Sequence, residues 1–473
     1  MNNNLNIIFK PIYFFLLLLI FGGIFRLYNI NFDDLWIDEI STFWISDPNL
    51  SLKESYINHL SLERTPFLFN LIIKFFFTLF GYKIEIARLI PAFFSIISII
   101  SISYLSKLMT KDNSYLLSAF LITFNIFLIS YSQELRVYST LFFFISLSII
   151  FFIKSIDKIK SKNLILLNIF SIVSILLHPF SLIIIFSYIT YSILLSLKYK
   201  KFLKEINISL LFLTIVSLIY YYYHLSVSLY TPSWIEQPDL KFYTNFYFSK
   251  FFGSRIIGIF HLIILIYLII YFSKRFFYLE KISLFLIILI YTYLFPLFYG
   301  YIFNPIILPR YIIFVLIPII ILISYFSFRI KKKSRIILIT FLLLFNLGNF
   351  LTEETFKQFF TQRTIYKPEI TKALLIIDNS DYKKFSIKLN PAEEILTEPW
   401  SKALKHYLNY LSEKNNLNLF VADLNQKNND NIWVLCIHDL NQNNCKLKEG
   451  YKLIKDISLN RMNLSQINQL SVP

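Results

Sequence analysis

Glycine is scarce in this chain, eight residues in 473, and no stretch forms the Gly-rich loop that cradles nucleotide phosphates. Cysteine is scarcer still. Cys436 and Cys445 are the only two, too few for a disulfide scaffold. Both fall in a segment read below as external, where a bridge between them would close a short loop; alternatively, Cys436 is simple strand core. Charged residues make up only 16% against 56% hydrophobic. A chain this apolar and this long is not one soluble domain.

Acidic residues are also in deficit, 29 against 46 Lys and Arg, for a formal charge of +17. That excess would suit nucleic acid, but the basic residues gather in short connections between apolar blocks, as cytoplasmic loops do. Nucleic acid is therefore set aside, and the partner of the chain as a whole is the bilayer.

Apolar blocks of spanning length occur near 11 to 28, 65 to 80, 86 to 106, 114 to 131, 137 to 153, 163 to 177, 179 to 197, 207 to 224, 256 to 273, 281 to 300, 308 to 328 and 335 to 351. All are expected to be helices, since lipid offers backbone groups no partner. The fold class expected is an all-α polytopic membrane protein of about 12 to 13 transmembrane helices, with a small C-terminal α/β soluble domain. The first block lacks a small-residue cleavage site and runs through Gly22-Gly23 to Arg26, so it reads as a retained helix.

Four connections are densely basic: Lys154 to Lys162, Lys198 to Lys204, Lys274 to Lys281, and Arg329 to Arg335. These are assigned to the cytoplasm. The connections between them, at His178-Pro179, 225 to 255 and 301 to 307, then lie outside with everything after residue 351. The turn Gln133-Glu134-Leu135-Arg136 and the first loop, 29 to 64, are also assigned outside. Both assignments hold only if an even number of crossings separates them. Three apolar peaks lie there, so either a crossing is hidden within 107 to 136 or one apparent span does not cross.

The domain division expected is a membrane module over 1–351, with its external loop 29–64, and an extracytoplasmic soluble domain over 352–473. In the tail, Leu374 to Ile377, Leu417 to Val421 and Ile432 to Ile437 read as strands, with Ser401 to Leu411 as a helix.

The first loop carries Asp33-Asp34-Leu35-Trp36-Ile37-Asp38-Glu39 at a membrane boundary, where carboxylates are costly. On the external face they can bind a cation, carry protons, or act as a general base on an acceptor hydroxyl. Asp38 and Glu39 diverge on a helix, while Asp34 and Asp38 share a face at i,i+4 spacing. The plainer reading is that Asp33 or Asp34 caps a helix starting there. Arg64, Arg136 and Arg310 sit at span boundaries on the same face. There they bind a phosphate oxyanion, or else snorkel and pair with the loop carboxylates. His178, before Pro179, is a sugar or phosphate contact or a structural turn residue. Lys74 in the second block snorkels or pairs. Trp234, Glu236 and Asp239 form an acceptor groove or an interfacial helix.

Trp36-Ile37-Asp38-Glu39, Arg64-Thr65-Pro66-Phe67-Leu68, Ala87-Arg88-Leu89-Ile90-Pro91, Gln133-Glu134-Leu135-Arg136-Val137-Tyr138, Leu177-His178 and Pro309-Arg310-Tyr311 follow one another in an order that resembles the GT-C superfamily. The likeness is to bacterial glycosyltransferases related to the dolichyl-phosphate-mannose protein mannosyltransferases and the lipid A aminoarabinose transferases. It runs from about residue 10 to 330. It implies inverting transfer of a sugar from a polyprenyl-phosphate carrier to a hydroxyl of a lipid, glycan or protein, on the outer face of the cytoplasmic membrane.

By that resemblance Asp38 is the catalytic base and Glu39 orients the acceptor or the loop. Arg136 with Tyr138, and Arg310 with Tyr311, contact the carrier phosphate. Asp34, Arg64, Glu134 and His178 are further substrate contacts. Relatives usually open the second span with His or Lys near a double Pro, so Arg64-Thr65-Pro66-Phe67 departs from their pattern. No cofactor is expected: arginines neutralise a departing monophosphate, and a divalent metal on the carboxylates is compatible but not required. The rival reading is a polytopic transporter or lipid flippase, which would show internal repeats with broken midplane helices.

Overall fold

The computed structural model describes residues 10–31, 33–110, 112–200, 203–227, 235, 247–352, 367–381, 383–389, 398–421, 432–437, 452–459 and 465–471. Trp234, Glu236, Asp239 and Cys445 lie outside them. The chain forms two compact units. One comprises Met1–Tyr28, Glu63–Ile72 and Arg88–Thr352; the other comprises Asn29–Leu62, Ile73–Ala87 and Glu353–Pro473.

The first unit is helical. Among the described residues, seven helices are long and apolar enough to cross a membrane, or eight if one bent pair is a single span. Helix α1 (Pro11–Leu27) begins with proline at its first position, where no backbone donor is lost. Gly22 lets it approach its neighbour closely: a Cβ there would lie 2.3 Å from Ile99 Cδ1. Arg26, one turn on, is fully buried.

The bent pair is α6 (Ser114–Thr123) and α7 (Ile126–Ser132), at 57°. Its break leaves carbonyls without helical partners, and Arg26 supplies them. Its guanidinium bonds Ile122 O at 2.9 Å and Thr123 O at 3.4 Å, with Ser95 Oγ at 2.8 Å. A positive charge at a helix C-terminus also suits the helix dipole. On the other side of the break, the Asn125 side chain caps α7 by accepting the Leu128 N–H at 2.9 Å.

The block at 65 to 80 forms a helix shorter than its apolar run. It forms α4 (Leu68–Phe80), 13 residues or about 20 Å, well short of the ~30 Å hydrocarbon core. The helix stops at Gly81, whose φ of +94° favours glycine. The turn that follows is held in the second unit: the Tyr82 ring stacks on Phe43 at 4.2 Å and its hydroxyl donates to Phe43 O at 3.0 Å. The 29–62 segment before this helix and residue 82 after it belong to the same unit. Next comes α5 (Ile84–Met109).

The second unit holds α2 (Ile37–Ile45), α3 (Leu52–Leu62), α18 (Ile370–Asp378), α19 (Glu398–Lys414) and a five-stranded sheet of order β2-β1-β3-β5-β4. Its strands are β1 (Lys384–Leu389), β2 (Phe420–Val421), β3 (Ile432–Ile437), β4 (Lys452–Ser458) and β5 (Ser465–Ser471). The strand β1 runs parallel to β2 and β3, while β5 is antiparallel to β3 and β4. The helix expected at Ser401 to Leu411 lies within α19, and the strand expected at Ile432 to Ile437 is β3. Leu374 to Ile377 is not a strand but part of α18. Its buried residues Ile370, Ala373, Leu374 and Ile377 follow the helical i, i+3, i+4, i+7 spacing, which a four-residue apolar run conceals. Cys436, buried in β3, is disulfide-bonded.

Candidate functional site

In the second unit, the acidic segment 33 to 39 does not begin with a helical turn. Helix α2 starts at Ile37 with Trp36 as N-cap, so Asp34 and Asp38 share no helix face, and neither Asp33 nor Asp34 is its cap. Asp34 instead accepts the Thr371 N–H at 2.7 Å and the Thr371 hydroxyl at 2.5 Å. It thereby caps the start of α18.

Asp38 and Glu39 diverge, as adjacent helical residues must. Glu39 is 1% exposed. It accepts the Trp36 N–H at 3.0 Å and pairs with Lys367 at 2.7 Å. Asp38 is half-buried in the first turn, and its carbonyl accepts the hydroxyls of Ser41 and Thr42. Of the two carboxylates, Glu39 is committed to holding the loop and Asp38 remains more accessible.

The same unit ties α2 to the tail. Leu35 N–H donates to the Tyr407 hydroxyl at 2.9 Å, and Tyr82 meets His406 Nε2 at 2.9 Å. His406 in turn lies 3.4 Å from Asp47. Burial lowers the His406 pKa and Asp47 opposes that shift. Lys74 donates to the carbonyls of Asp47 and Leu50, so it closes the turn after α2.

In the first unit, four chain segments bring basic and aromatic side chains together. The turn before α8 (Tyr138–Asp157) gives Arg136 and the first residue of that helix is Tyr138, while the turn between α9 (Ser161–Leu177) and α10 (Ser181–Tyr199) gives His178. The 3-10 turn Pro309–Val315 gives Arg310 and Tyr311, and the residues leading into α4 give Glu63. Ring centroids lie 5.1 Å apart for His178 and Tyr311, 6.3 Å for Tyr138 and His178, and 6.1 Å for Tyr138 and Tyr311. The Arg310 guanidinium stands 5.7 Å from the Tyr311 ring.

His178 is buried at a helix end, and burial pushes its pKa down to about 3, helped by the charges of Arg136 and Arg310. It is neutral at any physiological pH. Its Nδ1 accepts the Phe180 N–H at 3.2 Å, so the ring proton sits on Nε2.

Gln133 anchors the Arg136 turn to the end of α1, its Nε2 3.1 Å from the carbonyls of Phe25 and Tyr28. Glu134 takes part through its backbone, accepting the Arg136 N–H at 2.7 Å. Arg64 has its carbonyl bonded by His224 Nε2 at 3.0 Å, within the same unit. Arg136 itself is held by Glu63, in a buried ion pair at 2.7 Å.

The first unit thus unites Arg136, Tyr138, His178, Arg310 and Tyr311, while Asp34, Asp38 and Glu39 belong to the second. Sequence reading missed Glu63 and Lys367, and it named Gln133 and Arg26 without giving either a role. The Glu63-Arg64 dipeptide at a span boundary was a usable signal for the first; Lys367 offered none. Among the described residues, no group of three or more His, Cys, Asp or Glu could hold a metal ion.

Residues 64–222 match the family model for dolichyl-phosphate-mannose-protein mannosyltransferase, a stretch that includes Arg64, Arg136, Tyr138 and His178. No curated protein sequence matches the chain. Among solved structures, ArnT from Cupriavidus metallidurans in the apo state is similar at TM-score 0.60 and 12% identity, over 97% of each chain. The same protein bound to undecaprenyl phosphate is similar at TM-score 0.55 and 12% identity, again over 97% of each. The Archaeoglobus fulgidus oligosaccharyltransferase in complex with Zn and sulfate gives TM-score 0.50 and 10% identity, over 90% of this chain and 68% of that one. The fold is similar to that of ArnT along nearly the whole length of both chains.

Proposed function

We propose that this GT-C membrane protein is an inverting glycosyltransferase that moves a sugar from a polyprenyl-phosphate carrier to an acceptor hydroxyl on the outer face of the cytoplasmic membrane. The observation that carries the reading is the pairing of Arg136 and Arg310 around a neutral His178 in the segment-rich corner of the first unit. A carrier phosphate needs such donors: two guanidinium forks for its oxyanion, and the Nε2–H of His178 as a hydrogen bond that adds no third charge. One solved relative of the same fold holds undecaprenyl phosphate.

The chemistry is a single displacement. Asp38 takes the proton of the acceptor hydroxyl as its oxygen bonds to the anomeric carbon. The bond from that carbon to the phosphate oxygen breaks with its electron pair on the phosphate, and Arg136 and Arg310 stabilise the charge that gathers there. Glu39, clamped by Lys367, positions the loop that carries Asp38. Tyr138 and Tyr311 line the phosphate donors, and Arg64 and Glu134 border them.

The orientation rests on the basic connections being cytoplasmic. With α4 removed from the span list and the bent pair α6 and α7 taken as one span, two crossings separate residue 82 from Gln133. That is the even number the charge pattern requires. The tail sheet is then the extracytoplasmic soluble domain, and the acceptor is a lipid, glycan or protein of the cell envelope.

The test is release of polyprenyl phosphate from a labelled lipid-linked sugar by the purified protein, dependent on an acceptor. The Asp38→Asn variant should lose turnover by about 10²-fold or more while still binding undecaprenyl phosphate. Full turnover in that variant overturns the assignment of the base. A labelled lipid that crosses the bilayer without losing its sugar would indicate a transporter instead.

A further inference from the structure

Glu63 and Arg136 meet as a fork. Arg136 Nη1 donates to Oε1 at 2.7 Å and Nη2 to Oε2 at 3.5 Å, with side-chain exposures of 11% for Arg136 and 9% for Glu63. The Thr65 hydroxyl donates to the same Oε2 at 2.8 Å. A carboxylate and a phosphate monoester present a guanidinium with the same pair of oxygens, so the two compete for one set of N–H groups.

We propose that Glu63 is an exchangeable stand-in for the donor phosphate. It occupies the Arg136 fork between turnovers, yields it when the lipid-linked phosphate enters, and reclaims it as the polyprenyl phosphate departs. The inference rests on Arg136 being a phosphate ligand.

Three features support the exchange. First, a buried guanidinium left alone is expensive, so the free site needs an anion. Second, carboxylate and phosphate together would crowd two like charges into a buried space, so the occupants are mutually exclusive. Third, the fork is uneven: its long arm is the oxygen already shared with Thr65, which gives the carboxylate a second hold while the guanidinium changes partner. Glu63 is thus a positioning residue that sets how tightly the carrier is retained, and product release depends on it.

The experiment measures undecaprenyl phosphate binding to the full-length protein in detergent by tryptophan fluorescence. It also measures donor KM and kcat, for wild type, Glu63→Gln and Thr65→Val. The exchange predicts that Glu63→Gln binds undecaprenyl phosphate about tenfold tighter, the scale of one competing charged hydrogen bond removed. Donor KM and kcat should fall together as release becomes limiting. Thr65→Val, which keeps the ion pair and should not endanger folding, should tighten binding about twofold to threefold by taking the second hold from Glu63. A purely structural Glu63 predicts the opposite: weaker binding and a raised KM because Arg136 is misplaced. Wild type that binds while both folded variants bind equally or more weakly overturns the exchange and leaves the phosphate role of Arg136 standing; if Glu63→Gln does not fold, Thr65→Val decides. Wild type that fails to bind undecaprenyl phosphate overturns the phosphate reading, and the exchange with it.

Discussion

His178 Nδ1 accepts the Phe180 backbone N–H at 3.2 Å, which fixes the tautomer of a histidine kept uncharged by its burial and, to a lesser extent, by two arginines. A neutral, oriented donor follows from a turn of three residues. Its folded pKa of about 3 lies below the ordinary value of 6.5, so between these limits the unfolded chain binds a proton the folded chain refuses. The stability this provides is complete above pH 6.5 and lost as pH falls towards 3, by up to ~1.4 kcal/mol per pH unit. Thermal unfolding in detergent at pH 7, 6 and 5 should show wild type losing Tm more steeply than His178→Gln. Parallel slopes would remove His178 as the source. Activity between pH 5 and 8 should show no limb that disappears in this variant.

The adjacent acids should behave differently. Asp38→Asn should cost turnover with little change in Tm, whereas Glu39→Gln leaves the Lys367 ammonium without its buried partner and should lower stability by about 3 kcal/mol. Adding Lys367→Met to Glu39→Gln should recover much of that loss. A double variant no more stable than the single one would show that the pair is not what holds the loop.

Arg310→Lys keeps the charge but loses the planar fork and its stacking on Tyr311. Donor KM should rise about tenfold or more, a larger effect than at any basic residue of the Arg329 to Arg335 connection. Steady-state kinetics on the two classes of variant decides it.

Arg26→Met should be among the most destabilising changes in the first unit. It strips the carbonyls of Ile122 and Thr123 at the break between α6 and α7, at about 1–3 kcal/mol for each group left unsatisfied. Arg26→Lys should restore part of the loss, since one ammonium can reach one carbonyl. Detergent melting curves that place Arg26→Met within a degree of wild type would contradict this role.

The helical blocks were legible because lipid forces backbone groups to pair internally, which leaves long apolar runs in the sequence. Boundary residues such as Arg136, His178 and Arg310 were legible for the same reason, as polar groups where hydrocarbon ends. What escaped was length and partnership. The 65 to 80 block is apolar throughout, yet Gly81 ends its helix at a third less than spanning length. The Glu63–Arg136 and Glu39–Lys367 pairs join residues 73 and 328 positions apart, and neither member announces the other. Leu374 to Ile377 was too short a run to distinguish helix from strand.

Arg26 also bears on how the chain is made. Apart from the Gly22 carbonyl of its own helix, its hydrogen-bond partners, Ser95, Ile122 and Thr123, lie 69 to 97 residues further along the chain and are synthesised after α1. Until they follow, the guanidinium has the Gly22 carbonyl, and its remaining donors need water or lipid headgroups. The first helix therefore completes its polar pairing only when the broken span has been made, which couples the seating of α1 to a segment about a hundred residues downstream.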